Sequence, residues 1–135
     1  MIIKKVISIF IENEEGKILF LHRRKDLKFH PDYWHVVGGH IEEDEDPKET
    51  MKRELKEELD LDDFELVKGP EFIIDKDTRN DMEFHVWLFV IKPKGEITIL
   101  PEEHDDHKWV NSTDMKDYNI VPGLILNLKK LGYDA

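Results

Sequence analysis

Residues Met82 to Lys92 alternate in a way that few folds can accommodate. A strand points successive side chains to opposite sides. Here Phe84, Val86, Leu88 and Val90 take one face, and His85, Trp87, Phe89 and Ile91 take the other. Both faces are largely apolar, so this strand must sit centrally, between two covering layers. The chain has 135 residues, enough for a single domain over 1–135 with a core of its own.

Other segments fall into place around that strand. Ile2 to Glu12 and Ile18 to His22 are rich in β-branched residues, and Asn13-Glu14-Glu15-Gly16 between them predicts a hairpin. Trp34 to Val37 reads as a short strand feeding Gly38-Gly39, and Phe64 to Asp75 as a partner strand across the charged turn Lys76 to Asp81. After Pro93-Lys94-Gly95 comes a short strand, Ile97 to Leu100. A helix is expected from about Pro47 to Leu59. Asp46 is its N-cap, Pro47 stands in its first turn, and Met51, Leu55 and Leu59 make a narrow apolar stripe. Ser112 or Thr113 would cap a short helix reaching Tyr118. Leu124 to Leu131 closes the chain as a helix with Leu124, Leu128 and Leu131 inward.

Composition removes several functions. There is no Cys, which excludes disulfides, thiolate metal sites and a Cys nucleophile. The net charge of −11 argues against a nucleic-acid backbone as main partner, because such binding depends on Lys and Arg neutralising phosphates. It also makes any phosphate substrate depend on a bridging metal. The apolar run Val6 to Ile11 is too short for a signal-peptide core or a membrane span, so a soluble cytoplasmic protein is expected, with no membrane partner. Nothing in the sequence sets an oligomeric state.

The first helix carries the chemistry. Glu54 and Glu58 stand one turn apart beside the apolar stripe, with Glu57 farther round. Like charges at that spacing repel by ~0.2–0.5 kcal/mol. A hard divalent cation such as Mg²⁺, which takes carboxylate and phosphate oxygens, would offset this. Arg53 can hold a neighbouring Glu in one orientation through its planar fork. The plain alternative is a solvated acidic face in a Glu-rich chain. Against it stands the whole pattern: Gly39, five residues, Glu45, seven residues, then Arg53-Glu54-Leu55-Lys56-Glu57-Glu58 and Leu61.

That segment resembles the signature box of the Nudix hydrolases: Gly, five residues, Glu, seven residues, Arg-Glu-apolar-any-Glu-Glu-any-Gly-apolar. Every charged position is met. Asp60 replaces the Gly that ends the helix in a left-handed conformation, at a cost of about 1 kcal/mol. Val37-Gly38-Gly39 replaces the common Pro-Gly-Gly, and Asp44 a frequent Gly. The resemblance spans nearly the whole chain. It implies an α/β/α sandwich, a mixed β-sheet lying between the box helix and the C-terminal helix.

The resemblance also implies an activity: metal-dependent hydrolysis of a nucleoside di- or triphosphate derivative, such as a (d)NTP or an oxidised purine nucleotide. Mg²⁺ or Mn²⁺ would be held by Glu54, Glu58, Glu57 and the Gly38 carbonyl, with Glu45, Gly39 and Arg53 in support. Many relatives carry a further Glu about six residues before a Trp, as metal ligand or general base. Glu103 stands six before Trp109, and Glu102 is the fallback. The base remains open among Glu54, Glu57 and Glu103.

Arg23-Arg24-Lys25 is either a solvated strand end or a grip on substrate phosphates, and similarity to the MutT branch favours Arg24 over Arg23 as the nucleotide contact. Asn119 is either a base contact or an ordinary loop residue, and Trp34 reads as core rather than as a stacking platform. Glu102 to His107 reads as an exposed polar loop whose Glu-His pair is similar to diadenosine tetraphosphate hydrolases, which gives diadenosine polyphosphates as the alternative substrate. A Pro often marks ADP-ribose preference about sixteen residues past the box, and Asp77 stands there instead. The rival classes are a non-catalytic nucleotide sensor on the same fold and a Ca²⁺-binding acidic protein. The intact carboxylates speak against the first, and the missing EF-hand loop against the second.

Overall fold

The computed structural model describes residues 1–28, 31–100, 104–121 and 123–135. The doubly apolar strand, β6 (Met82–Pro93), lies inside a four-stranded sheet. It runs parallel to β1 (Ile2–Ile11) on one side and antiparallel to β5 (Phe64–Asp77) on the other, and β4 (Val37–His40) pairs antiparallel with the far edge of β1. The alternation holds. Val86, Leu88 and Val90 enter one core, and Phe89 and Ile91 enter the other.

The predicted hairpin does not form. Asn13 Oδ1 accepts from the backbone N–H of Glu15 and Lys17, so the turn is there. Beyond a single bridge, Glu12 to Ile18, the strands part. The reason is occupancy: both edges of β1 are already hydrogen-bonded, to β4 and β6. β2 (Ile18–Arg23) instead joins a second, antiparallel sheet between β3 (Trp34–His35) and β7 (His104–Val110). The strand expected over Trp34 to Val37 is likewise two pieces. The chain leaves β2 after His35 and reaches β1 from Val37 onward.

Two helices cover the β layer, as the sandwich reading requires. Met51, Leu55 and Leu59 of α1 (Pro47–Leu59) pack with Ile7, Ile9, Leu21 and Phe89. Leu124 and Leu128 of α2 (Leu124–Lys130), with Leu131 at its C-cap, pack with Phe10, Phe20, Val86 and Leu88 on the opposite side. Both sheets send alternate residues into both cores. Each such side chain contributes about 1.5–3 kcal/mol relative to exposure, an upper figure because unfolded chains already bury some surface. Among the described residues no helix is long and apolar enough to cross a membrane.

Both ends of α1 follow the sequence. Asp46 Oδ1 accepts from the Glu49 N–H at 3.0 Å. Asp60 does take the left-handed conformation, φ 51°, and its N–H reaches the carbonyls of Leu55 and Lys56 while Lys56 Nζ sits 2.8 Å from its carboxylate.

Three other expectations are corrected. Residues 97–100 form no strand. The N–H of Thr98 and of Leu100 instead bond the carbonyls of Leu59 and Glu58, satisfying helix-end acceptors that would otherwise lack donors. Residues 104–107 are not a loop but the start of β7, an edge strand whose polar side chains guard an exposed ladder. Ser112–Asp117 is a 3-10 helix with Asn111 at its N-cap, and the Ser112 hydroxyl donates to the Asp134 carbonyl rather than capping.

Candidate active site

The inward stripe of α1 sets where its carboxylates go. Glu54 lies against β4 with only 12% of its side chain exposed, whereas Glu57 is 54% exposed. Room for Glu54 comes from Gly39: a Cβ there would stand 2.2 Å from Glu54 Oε1. The neighbouring glycine has a different task. A Cβ on Gly38 would meet the Ile7 carbonyl oxygen of β1 at 2.7 Å, so Gly38 lets the two strands approach.

Arg53 ties the set together. Its Nε and one terminal nitrogen fork onto the two oxygens of Glu45 at 2.8 and 3.0 Å. The same terminal nitrogen also reaches the His40 carbonyl at 3.0 Å. The other terminal nitrogen donates to Glu54 Oε1 at 3.0 Å and to Glu57 Oε2 at 3.3 Å. Buried Thr50 adds its hydroxyl to Glu45 at 2.6 Å, a contact that sequence reasoning missed although Thr50 sits inside the box.

These contacts set the charge states. The Arg53 and Thr50 hydrogen bonds hold the Glu45 carboxyl at about 2, and Glu45 in turn raises the guanidinium further above its ordinary value. Glu54 is pushed the other way. Burial raises its carboxyl against the opposing effect of a hydrogen bond with Glu58 and the charge of Arg53. Two carboxyls this close need a proton or a cation between them.

Because the folded Glu45 value lies below its ordinary 4.5, the stability it contributes is present above pH 4.5 and lost as pH falls through about 2. Melting temperatures recorded across that range should fall in the wild type, and Glu45→Gln should lack that component. Parallel curves would remove the Arg53 fork as the cause.

Beside the C-terminal end of α1 lies a cleft of about 450 Å³, walled by Ile97 and Ile99 on one side and by His104, Asp105, His107 and Trp109 of β7 on the other. His104, 6% exposed, shares a 2.9 Å Nε2 to Nε2 hydrogen bond with His35 of β3. Arg23 ends β2 on the same face as Leu19 and Leu21, which is the α1 side. Arg24 follows the strand, and its Nε donates to Asp26. Asn119 donates from Nδ2 to the Asp32 carbonyl and accepts the Trp34 N–H on its own carbonyl, fixing the approach to β3. Trp34 packs in an aromatic group with Phe20 and Tyr118, partly buried. Glu102 and Glu103 lie outside the described residues. Among the described residues no three carboxylates or imidazoles are gathered as a metal site, and Glu54 and Glu57 both accept from Arg53.

The family model for the NUDIX domain matches residues 3–127. A nucleoside triphosphatase NudI of Klebsiella pneumoniae (strain 342) is 26% identical over 144 residues, covering 96% of each chain. An RNA pyrophosphohydrolase from a Nitratiruptor species is 31% identical over 111 residues, covering 73% of this chain and 70% of that protein. Among solved structures, a MutT protein from Methanosarcina mazei Go1 aligns with a TM-score of 0.79 at 18% identity, over 96% of this chain and 92% of that one. This last likeness is one of fold.

Proposed function

This chain belongs to the Nudix family of hydrolases, and from that premise we propose that it cleaves a phosphoanhydride bond of a nucleotide, a (d)NTP or oxidised purine nucleotide first, with a divalent metal at the box carboxylates. The observation that carries this reading is the Glu54 carboxylate, only 12% exposed, laid into the space that Gly39 leaves, bonded by Arg53 and one turn from Glu58. The donor set fits Mg²⁺ or Mn²⁺: hard oxygens from Glu54, Glu57 and Glu58, with the Gly38 carbonyl on the adjoining strand. When bound, such an ion would offset phosphate charge and acidify an attacking water.

The protein's own groups do the rest. Arg53, anchored by Glu45 and the His40 carbonyl, is a fixed post from which Glu54 and Glu57 can turn to a stronger cation. A carboxylate then accepts the water's proton. Burial raises the Glu54 carboxyl above the ordinary carboxylate value, which strengthens it as a base, and Glu57 and Glu103 remain the other candidates. Arg23 or Arg24 would grip phosphate from the end of β2.

The relative named as a nucleoside triphosphatase supports the substrate class. The relative named as an RNA pyrophosphohydrolase makes an RNA 5′-triphosphate the second substrate to try. Purified protein should be given (d)NTPs, an 8-oxo purine triphosphate, diadenosine tetraphosphate and a 5′-triphosphorylated RNA, with Mg²⁺, Mn²⁺ or chelator, and products resolved by chromatography. Metal-dependent release of phosphate or pyrophosphate is expected from the mononucleotides. No product from any of them with either metal overturns the reading. Calorimetric nucleotide binding without turnover would indicate the sensor instead.

A further inference from the structure

His22, at the end of β2, is held between two carboxylates. Its Nδ1 lies 2.5 Å from Asp105 Oδ1, its Nε2 lies 2.8 Å from Asp32 Oδ1, and the side chain is only 12% exposed. Both acids are about half exposed, and ionised carboxylates only accept hydrogen bonds. A neutral imidazole has one N–H to give; an imidazolium has two. Satisfying both contacts therefore calls for the charged ring. The ring packs against Trp34, tilted by 48°, with centroids 4.9 Å apart.

What His22 joins gives this a consequence. Asp105 is the extra residue of a bulge in β7, where His22 pairs with Asp106 and Arg23 with His104. His104 and Asp105 line the cleft, and His104 bonds His35. Asp32 sits in the left-handed region at φ 64°, donates its N–H to the Arg23 carbonyl and leads directly into β3, which carries His35. One ring thus fastens the bulge and the entry to β3, the two pieces of backbone that present the His35–His104 pair.

We infer that His22, as the imidazolium, is a positioning residue that keeps this cleft wall preformed for the substrate's far end, and releases it on losing its proton. The idea rests on the hydrolase reading above for its effect on substrate, but not for its effect on the ring. The charged groups around His22 are Asp32, Asp105 and Asp106, its neighbour Arg23, Lys25 acting on Asp105, and Lys108 lying 5.3 Å over the Trp34 ring. Burial pulls the His22 pKa down, but the hydrogen bonds and charges of Asp105 and Asp32 outweigh it, leaving the value above 6.5. A raised folded value means the contribution to stability is fully present below 6.5 and lost as pH rises through the folded value.

Long-range proton–nitrogen spectra of the imidazoles, with His22→Gln used to identify the signal, should show both His22 nitrogens protonated on the acid side of a midpoint that lies above 6.5. Asp105→Asn and Asp32→Asn should each move the midpoint down. For whichever nucleotide is turned over, KM should rise about tenfold as pH passes the wild-type midpoint, the size of losing one hydrogen bond to a charged group. His22→Gln should show that raised KM at every pH, with kcat changed by less than about twofold. If His22→Gln does not fold, Asp105→Asn supplies the same comparison. A ring titrating at or below 6.5, or a KM whose pH dependence survives in the variants, overturns the inference. If nothing is hydrolysed, the ring titration and the Asp→Asn shifts still decide whether the clasp exists, while the proposed activity fails separately.

Discussion

Glu58→Gln is expected to remove nearly all turnover, by at least about 10²–10³-fold, the scale of deleting one preorganised electrostatic group at a reacting centre. The substitution keeps the side chain's length and its capacity to hydrogen-bond Glu54, and it leaves untouched the Glu58 carbonyl that accepts the Leu100 N–H. What it removes is one negative oxygen at the place proposed for the cation. Melting temperature should therefore hold or rise slightly, since one of two crowded carboxyls is gone. Steady-state rates over a Mg²⁺ or Mn²⁺ titration, read beside a thermal melt, separate the two effects. Turnover equal to wild type would take Glu58 out of the site.

The second large effect distinguishes two adjacent glycines. Gly39→Ala places a methyl 2.2 Å from Glu54 Oε1 and 2.4 Å from its carboxyl carbon, so the carboxylate must leave its slot. Since Glu54 is a side chain, it can move, and the fold should survive. Misplacing a reacting group by about 1 Å costs on the order of 10²-fold in rate. Gly38→Ala meets backbone instead, the Ile7 carbonyl oxygen at 2.7 Å, and β4 must shift from β1 where Gly38 pairs with Ser8. Overpacking of that kind costs about 1–3 kcal/mol. The expectation is an inactive but stable protein from the first change and a destabilised one from the second. Equal melting temperatures in the two variants, or full activity in Gly39→Ala, would contradict the roles assigned to these positions.

Features that depend on neighbours in sequence are legible in the sequence itself. The cap at Asp46, the stripe of Met51, Leu55 and Leu59, and the two faces of β6 are all short-range patterns, and each holds. Pairing partners were not legible, because they depend on competition between distant segments. The Asn13–Gly16 turn promises a hairpin, yet β4 and β6 together claim both edges of β1. The polar run from His104 looks like loop because its side chains are solvated, whereas its backbone is engaged by β2. In the site, the spacing of Glu45, Arg53 and Glu54 announced a cluster, and Arg53 does bond both acids. His22 gave no such signal, because its partners lie 10 and 83 positions away along the chain.

The parallel ladder between β1 and β6 joins Ile2 through Ile11 to Met82 through Ile91. High contact order of this kind slows folding, because a long loop must close before the contacts reward it. A nascent chain leaving the ribosome therefore carries Ile7, Ile9 and Phe10 without their final neighbours until Trp87, Phe89 and Val90 have been synthesised. Lys4 and Lys5, exposed at the head of the same strand, put like charges beside that apolar segment, the placement that disfavours association of unpaired strands.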